Sequence, residues 1–407
     1  MQPMLWKLWK PREARRGSRR CVLSSLADLA ASPLEKRSID DLIQLGKASH
    51  KERALQLHET LKVGLARCAM RLANLPLGFC HAPSIRRVSS TYVQNFKQVM
   101  DFEDKHGVEG LASEEYHGIT NGIFNQHRGT MLDVAKGVFE FNEDLNQLFG
   151  PDLELAELRH LQLIQDIEES LDEFFTNRLT LRLMISHIQA LNANKTMNSD
   201  GEAMVGVVNV STHPITILSR AYVATRFMCM RDFQTAPDLL VNGTMHDEYV
   251  QQGAQQHFAY VHTHLFYIFL ELVKNAARAS IERAQLEGLL EDTLTPENPG
   301  EIRGEIPPMR VTVPEDQKIW DHERSVKLAD HGTGMNRRVL GKAFSYFYSS
   351  VKARPTIAAE VSDFDRRMPL AGFGFGLPIS RVMARYFAGN IDVNSIPGQG
   401  TDVYVYL

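Results

Sequence analysis

Glu271 and Asn275 stand four residues apart in the run LELVKNAARAS at 270–280. On a helix that spacing stacks a carboxylate and an amide one turn apart on the same face. The carboxylate can take a proton from an attacking hydroxyl, and the amide oxygen is a hard donor of the kind magnesium accepts. Taken alone, the pair is ordinary helix decoration. Its weight comes from three glycine-bearing boxes downstream: Asp330-His331-Gly332-Thr333-Gly334, then Gly372-Phe373-Gly374-Phe375-Gly376, then Gly398-Gln399-Gly400-Thr401. Asp330 follows the apolar run 326–329, so a buried carboxylate at a strand end could accept the exocyclic amine of adenine. Gly332 and Gly334 would let the backbone approach the base. The second glycine box precedes a helical pattern at 377–386, and backbone N–H groups at such a helix start favour phosphate. The hydroxyl of Thr401 could support the adenine pocket.

Other phosphate motifs are excluded. Leu377 stands where a Rossmann fingerprint needs its third glycine. Gly341-Lys342-Ala343 lacks the first glycine and the hydroxyl residue of a Walker A loop, and the H-R-D and D-F-G elements of eukaryotic protein kinases are missing. The stretch between Gly341 and Ala371, with Tyr346, Ser349, Ser350 and Pro355, has the position of a lid over a triphosphate.

The elements that must hold these residues fall into two halves. Apolar positions at three- and four-residue steps recur at 53–72, 93–102, 120–149 and 153–191, which predicts a helical bundle. Gly150-Pro151 stops the third pattern. A polar stretch at 193–201 marks the expected boundary. Beyond it, short β-rich runs at 206–210, 259–261, 310–313, 326–329, 391–393 and 402–406 alternate with helical patterns, which predicts an α/β sandwich.

The chain has 407 residues, 43% apolar and 23% charged, with a net charge of −4, so neither nucleic acid nor a membrane is the expected main partner. The apolar runs are too short for a transmembrane segment. Four scattered cysteines, Cys21, Cys68, Cys80 and Cys229, without metal spacing suit a reducing compartment. The first twenty residues hold seven basic residues and one acidic one, with Leu5, Trp6, Leu8 and Trp9 interleaved, as in a mitochondrial transit peptide.

The four boxes resemble the N, G1, G2 and G3 boxes of the GHKL ATPase superfamily, which implies a Bergerat nucleotide fold. Within it, the sequence from Glu271 to Ala279 resembles the E-L-x-K-N-x-x-R-A of the mitochondrial 2-oxoacid dehydrogenase kinases, through Lys274 and Arg278 above all. Gly372 to Arg381 matches that family's second glycine box. Asn125-Gln126-His127 with Gly137-Val138-Phe139-Glu140, and Phe175-Thr176-Asn177-Arg178 with Arg182, resemble its helical motifs.

The resemblance implies three segments: a transit peptide at 1–22, a four-helix bundle at 23–197 and a GHKL kinase domain at 198–407. It implies ATP with Mg2+, Glu271 as base, and Asn275 as both nucleotide and metal ligand. Arg278, Asp330, Gly332, Gly334, Ser349, Ser350, Gly372, Phe373, Gly374, Phe375, Gly376 and Thr401 join Asn275 around the nucleotide. His127 is expected to join Glu271 as a catalytic residue lining the junction with the acceptor, the plain alternative being a polar helix residue.

The implied activity is phosphorylation, and so inactivation, of serine on the E1α subunit of a matrix dehydrogenase complex. The implied partners are the E2 lipoyl domain and a second copy of the chain. Pyruvate dehydrogenase is the first choice of substrate and the branched-chain complex the alternative. A nucleotide-binding scaffold without kinase activity is a further one.

Three departures stand out. Tyr267 occupies the position one turn before Glu271 where the pyruvate kinases carry histidine and the branched-chain kinases tyrosine. The first glycine box reads D-H-G-T-G rather than D-x-G-G-G. Members also often continue beyond the last strand into a tail that helps grip the lipoyl domain, whereas this sequence reaches Leu407 directly after it.

Overall fold

The computed structural model describes residues 25–149, 162–194, 196–197, 201–253, 256–289, 304–315, 320, 324–348 and 374–407. The expected transit peptide at 1–22 lies outside them. The chain divides into two compact units between Val208 and Asn209, a short way beyond the expected boundary at 197/198.

The first unit is helical: α1 (Ile39–Leu45), α2 (His50–Ala73), α3 (Pro83–His106), α4 (Glu114–Gln126), α5 (Thr130–Phe149) and α6 (Gln162–Asn192). The four long helices α2, α3, α5 and α6 form the bundle, with α2 packed on α3 and α6, and α3 on α5. Leu57, Leu61, Leu65 and Leu72 of α2 recur at helical spacing and are all buried, which is why this face points inward. Helix starts are written locally. Ser38 with Asp41, and Ser49 with Glu52, form capping boxes at α1 and α2.

The pattern at 120–149 is two helices rather than one. The apolar periodicity runs through, but the chain breaks at His127-Arg128-Gly129. The freed carbonyls at the end of α4 are taken by arginines of α6: Arg182 Nη1 donates to Phe124 O at 3.1 Å and Arg178 Nη2 to His127 O at 3.0 Å. Glu140 of α5 accepts from Ser84 N and Ser84 Oγ, at 2.8 and 2.7 Å, and so caps the start of α3.

The second unit contains β1 (Val208–Thr212), α7 (Pro214–Phe233), β2 (Leu239–Val241), β3 (Thr244–Met245), β4 (Phe258–Tyr260), α8 (His262–Leu286), β5 (Met309–Thr312), β6 (Ser325–Ala329), α9 (Gly376–Tyr386), β7 (Asn390–Ile396) and β8 (Gly400–Tyr406). Its main sheet has the order β3-β2-β5-β6-β8-β7, parallel only between β2 and β5. β1 pairs antiparallel with β4. Helix α8 lies between α7 and α9 and packs on β6 and β8. Val326, Leu328, Val403 and Val405 alternate inward from the sheet, against α8 residues such as Leu272 and Val273. This is the helix-on-sheet sandwich that the GHKL resemblance implies. Among the described residues no helix is long and apolar enough to cross a membrane.

Candidate active site: a cleft between α8 and the sheet

A cleft of about 330 Å³ opens in the second unit, lined by Glu271, Asn275, Arg278 and Ala279 of α8, by Leu328 of β6 and Asp330 just after it, and by Thr401 and Val403 of β8. Gly334, Gly374 and Gly376 complete its rim. Three of the four boxes are therefore brought together through residues distant in sequence, and the fourth is present through its last glycines. Its size is that of a small-molecule pocket.

Register explains the floor. Leu328 pairs with Val403 and Val403 with Val393, so three apolar side chains line up across β6, β8 and β7. A flat purine ring needs such a floor, and the sequence reading did not name it. The period-two alternation of 326–329 and 402–406 carried the signal.

Asp330 is 8% exposed. Its Oδ1 accepts from Gly332 N at 2.8 Å and from Thr401 N at 3.1 Å. Both bonds fall on one oxygen, which leaves Oδ2 for a donor in the cleft. Burial pushes this carboxyl up to about 6, against the pull of the two N–H groups. Thr401 Oγ1 lies 2.9 Å from Ser395 Oγ, which in turn accepts from Met335 N at 2.7 Å, so β7, β8 and the glycine box are tied at one point.

The glycines are required by contact. Gly334 has φ +65°, and a Cβ there would strike the Ile396 carbonyl. A Cβ at Gly332 would stand 2.5 Å from Ala279 Cβ. One at Gly376 would collide with Glu271 Oε2.

At the other end, Glu271 and Lys274 are buried, and Lys274 Nζ donates to Glu271 Oε1 at 2.8 Å. Lys274 was visible only as part of a motif, and its partner is set by the i, i+3 spacing on α8. Asn275 is exposed at the cleft, its amide open to a ligand. Arg278 lines the cleft, with Nε donating to Glu282 Oε1 at 2.7 Å. Phe375 is buried and meets Tyr346 edge-on at 5.1 Å, which fixes the start of α9. Ser349, Ser350, Gly372 and Phe373 lie outside the described residues, as does most of the expected lid; before it, Val339, Ala343 and Tyr348 line the cleft.

His127 is not among the lining residues. It is 0% exposed in the core of the helical unit, stacked on Tyr92 at 4.2 Å, with Nε2 3.0 Å from Asn95 Nδ2. Burial, then the charges of Arg178 and Arg182, push its imidazole down to about 3. The residue expected to line the junction with the acceptor is thus held inside the helical unit.

The Asp330 pocket, the glycine turns and the Glu271–Asn275 helix have the arrangement of an ATPase domain of the GHKL class. Residues 260–407 match the family model for histidine kinase-, DNA gyrase B- and HSP90-like ATPases. Residues 36–209 match the model described as mitochondrial branched-chain alpha-ketoacid dehydrogenase kinase. The human mitochondrial pyruvate dehydrogenase (acetyl-transferring) kinase isozyme 1 is 28% identical over 382 residues, covering 94% of this chain and 78% of the relative. Mouse isozyme 4 is 27% identical over 407 residues, covering 95% and 87%, and human isozyme 3 is 29% identical over 381, covering 92% and 82%. Over nearly its whole length the chain is thus similar to the mitochondrial 2-oxoacid dehydrogenase kinases.

Proposed function

We propose that this chain is a mitochondrial, ATP-dependent protein serine kinase acting on the E1α subunit of pyruvate dehydrogenase, which it inactivates. The observation that carries the reading is the placement, on one helix, of a buried Glu271 beside Gly376 and an open Asn275 a turn further on, in the cleft that holds Asp330. The relatives named as pyruvate dehydrogenase kinases support the substrate.

Adenine lies on the Leu328–Val403–Val393 floor with its amine on Asp330. Glu271 accepts or orients the proton of the serine hydroxyl, and Lys274 aims the carboxylate through its charge-assisted bond. The backbone around Gly374 and Gly376, at the start of α9, offers N–H groups to the phosphates. Asn275 supplies a hard oxygen that fits Mg2+, which keeps most of its shell as water and phosphate oxygens. When bound, that ion neutralises charge on the transferring phosphoryl group. A matrix location, docking on the E2 lipoyl domain and a homodimer complete the proposal by analogy with the family.

The second reading is a branched-chain 2-oxoacid dehydrogenase kinase. It is favoured by Tyr267 one turn before Glu271 and by the description of the family model that matches the helical half. The deciding experiment offers labelled ATP and magnesium to pyruvate E1 and branched-chain E1 separately, each with its E2 core. Serine labelling of pyruvate E1 alone supports the proposal, and labelling of the branched-chain E1 alone replaces it with the second reading. Labelling of neither, with ATP still bound, leaves a nucleotide-binding scaffold.

A further inference from the structure

Two histidines from distant parts of the helical unit meet at its surface. His50 is the first residue of α2 and His117 lies in the first half of α4. Their Nε2 atoms are 3.1 Å apart and their ring planes are tilted by 50°. Asn192, the last residue of α6, brings its amide within 3.3 Å of the His117 Nε2. Neither imidazole belongs to the nucleotide cleft.

The separation has a chemical meaning. Two imidazole nitrogens bound at about 2.0–2.1 Å to one tetrahedral ion stand roughly 3.3 Å apart. The pair, which shares a hydrogen bond in this structure, is within a few tenths of that spacing. His50 is exposed, so solvent and an ion can reach the pair.

A second cluster, His58 with Glu59 and Glu103, also offers three donor atoms close together. There a cation is already in place: Lys62 Nζ lies 2.8 Å from Glu59 Oε1 and 3.3 Å from Glu103 Oε1. His58 Nδ1 is 2.7 Å from Tyr116 Oη and its Nε2 is 3.1 Å from Glu103 Oε2. That cluster is a closed ion-pair network. Among the described residues no ion pair is recorded at the His50–His117 pair; beside it, Arg53 is engaged elsewhere, with Nη1 3.5 Å from Asn192 Oδ1 and Nη2 donating to Gly46 O at 2.9 Å.

We propose that His50 and His117 form a surface site for a divalent transition ion of the zinc type, which clips the start of α2 to α4 beside the end of α6. Imidazole donors select zinc, copper or nickel over magnesium. Each ring gives its Nε2 lone pair and keeps its proton on Nδ1. Water fills the remaining positions, and the Asn192 amide turns or gives up its bond to His117. With two protein ligands, the site is open and exchanges its ion readily.

The test is a zinc titration of the full chain against a chromophoric chelator, free of nucleotide and with thiols reduced, beside His50→Ala, His117→Ala and Glu59→Gln. The proposal expects one zinc that both histidine variants weaken by more than 10-fold, that Glu59→Gln leaves unchanged and that magnesium does not displace. Zinc should also raise the melting temperature of the wild type but not of His50→Ala, whose exposed side chain makes misfolding no explanation. Wild-type zinc affinity in both histidine variants, or its loss in Glu59→Gln alone, overturns the assignment.

Discussion

Replacing Asp330 with asparagine separates what this residue does for the fold from what it does for the nucleotide. The amide oxygen of the variant can still accept from Gly332 N and Thr401 N, the two bonds made by Oδ1. What changes is the other atom, where an acceptor becomes an N–H2 donor facing the donor amine of adenine. Losing a hydrogen bond to a charged acceptor costs about 1.5–3 kcal/mol, which is roughly 10- to 100-fold in affinity. The free protein responds in the opposite direction. The folded carboxyl titrates at about 6 and the unfolded one near 3.8, so the folded chain holds the extra proton between those values. The penalty of the buried charge is therefore absent below about pH 4 and complete above about pH 6, where it amounts to roughly 3 kcal/mol. Asp330→Asn should thus leave the nucleotide-free melting temperature at pH 7 unchanged or higher, while the rise on adding ATP shrinks. Purine triphosphates with a 6-oxo group should gain on ATP. Calorimetric titration with ATP and with inosine triphosphate, alongside thermal melts at pH 5 and 7, reads all of this. ATP affinity within threefold of wild type, or a fall in the nucleotide-free melting temperature, would refute the assignment of Asp330 to the adenine amine.

Glu271→Gln should lower phosphoryl transfer by about 10²–10⁴-fold with ATP affinity largely kept; equal turnover would remove Glu271 as the base. Gly376→Ala drives a methyl into the Glu271 carboxylate, so kcat should fall at least about tenfold, more than KM for the protein acceptor changes. Gly334→Ala meets both a positive φ and the Ile396 carbonyl and should destabilise the second unit by about 1–3 kcal/mol, read as a lower denaturation midpoint. His127 and His187 are held down to about 3 and about 4, chiefly by burial. Below pH 6.5 the unfolded chain takes up protons that these rings refuse, so stability is full above about 6.5 and drains as pH falls towards 3. His127→Gln should flatten that acid limb in helix content followed by circular dichroism.

Much of this site could be read from residue types because nucleotide contacts are made by short, local segments. Asp330 at a strand end, glycines in turns and a carboxylate one turn from an amide each declare themselves within a few residues. The helices likewise followed their periodicity. Three features escaped for physical reasons. The break at His127-Arg128-Gly129 interrupts the backbone without interrupting the apolar period, and the arginines that satisfy it come from α6. Strands β2 and β3 are too short for alternation to show, although Asn242-Gly243 between them, with φ of +47° and +87°, is a type I′ hairpin signal readable in sequence. The apolar floor depends on strand register, which pairs residues of β6, β8 and β7 that no single stretch associates. The burial of His127 against Tyr92 was likewise not legible from its place in a motif.

Helix α8 also acts as a gauge. Glu271 and Ala279, on which Gly332 rests, both line the cleft. Eight residues separate them, or about 12 Å of helix. Distances along a helix are set by hydrogen bonds rather than by side-chain packing, so this interval is among the stiffest lengths in the unit. Arg283 Nη1 donates to His331 O at 3.2 Å and clamps the Asp330-to-Gly334 turn to the same rod. The span between the Asp330 turn and the Glu271 carboxylate is thereby calibrated within one segment, and not by the mutual adjustment of loops. An insertion of a single residue between Glu271 and Ala279 would add about 1.5 Å and swing the far end by about 100°. The tolerance of this segment to changes in length is accordingly close to nil, whatever its tolerance to changes in side chain.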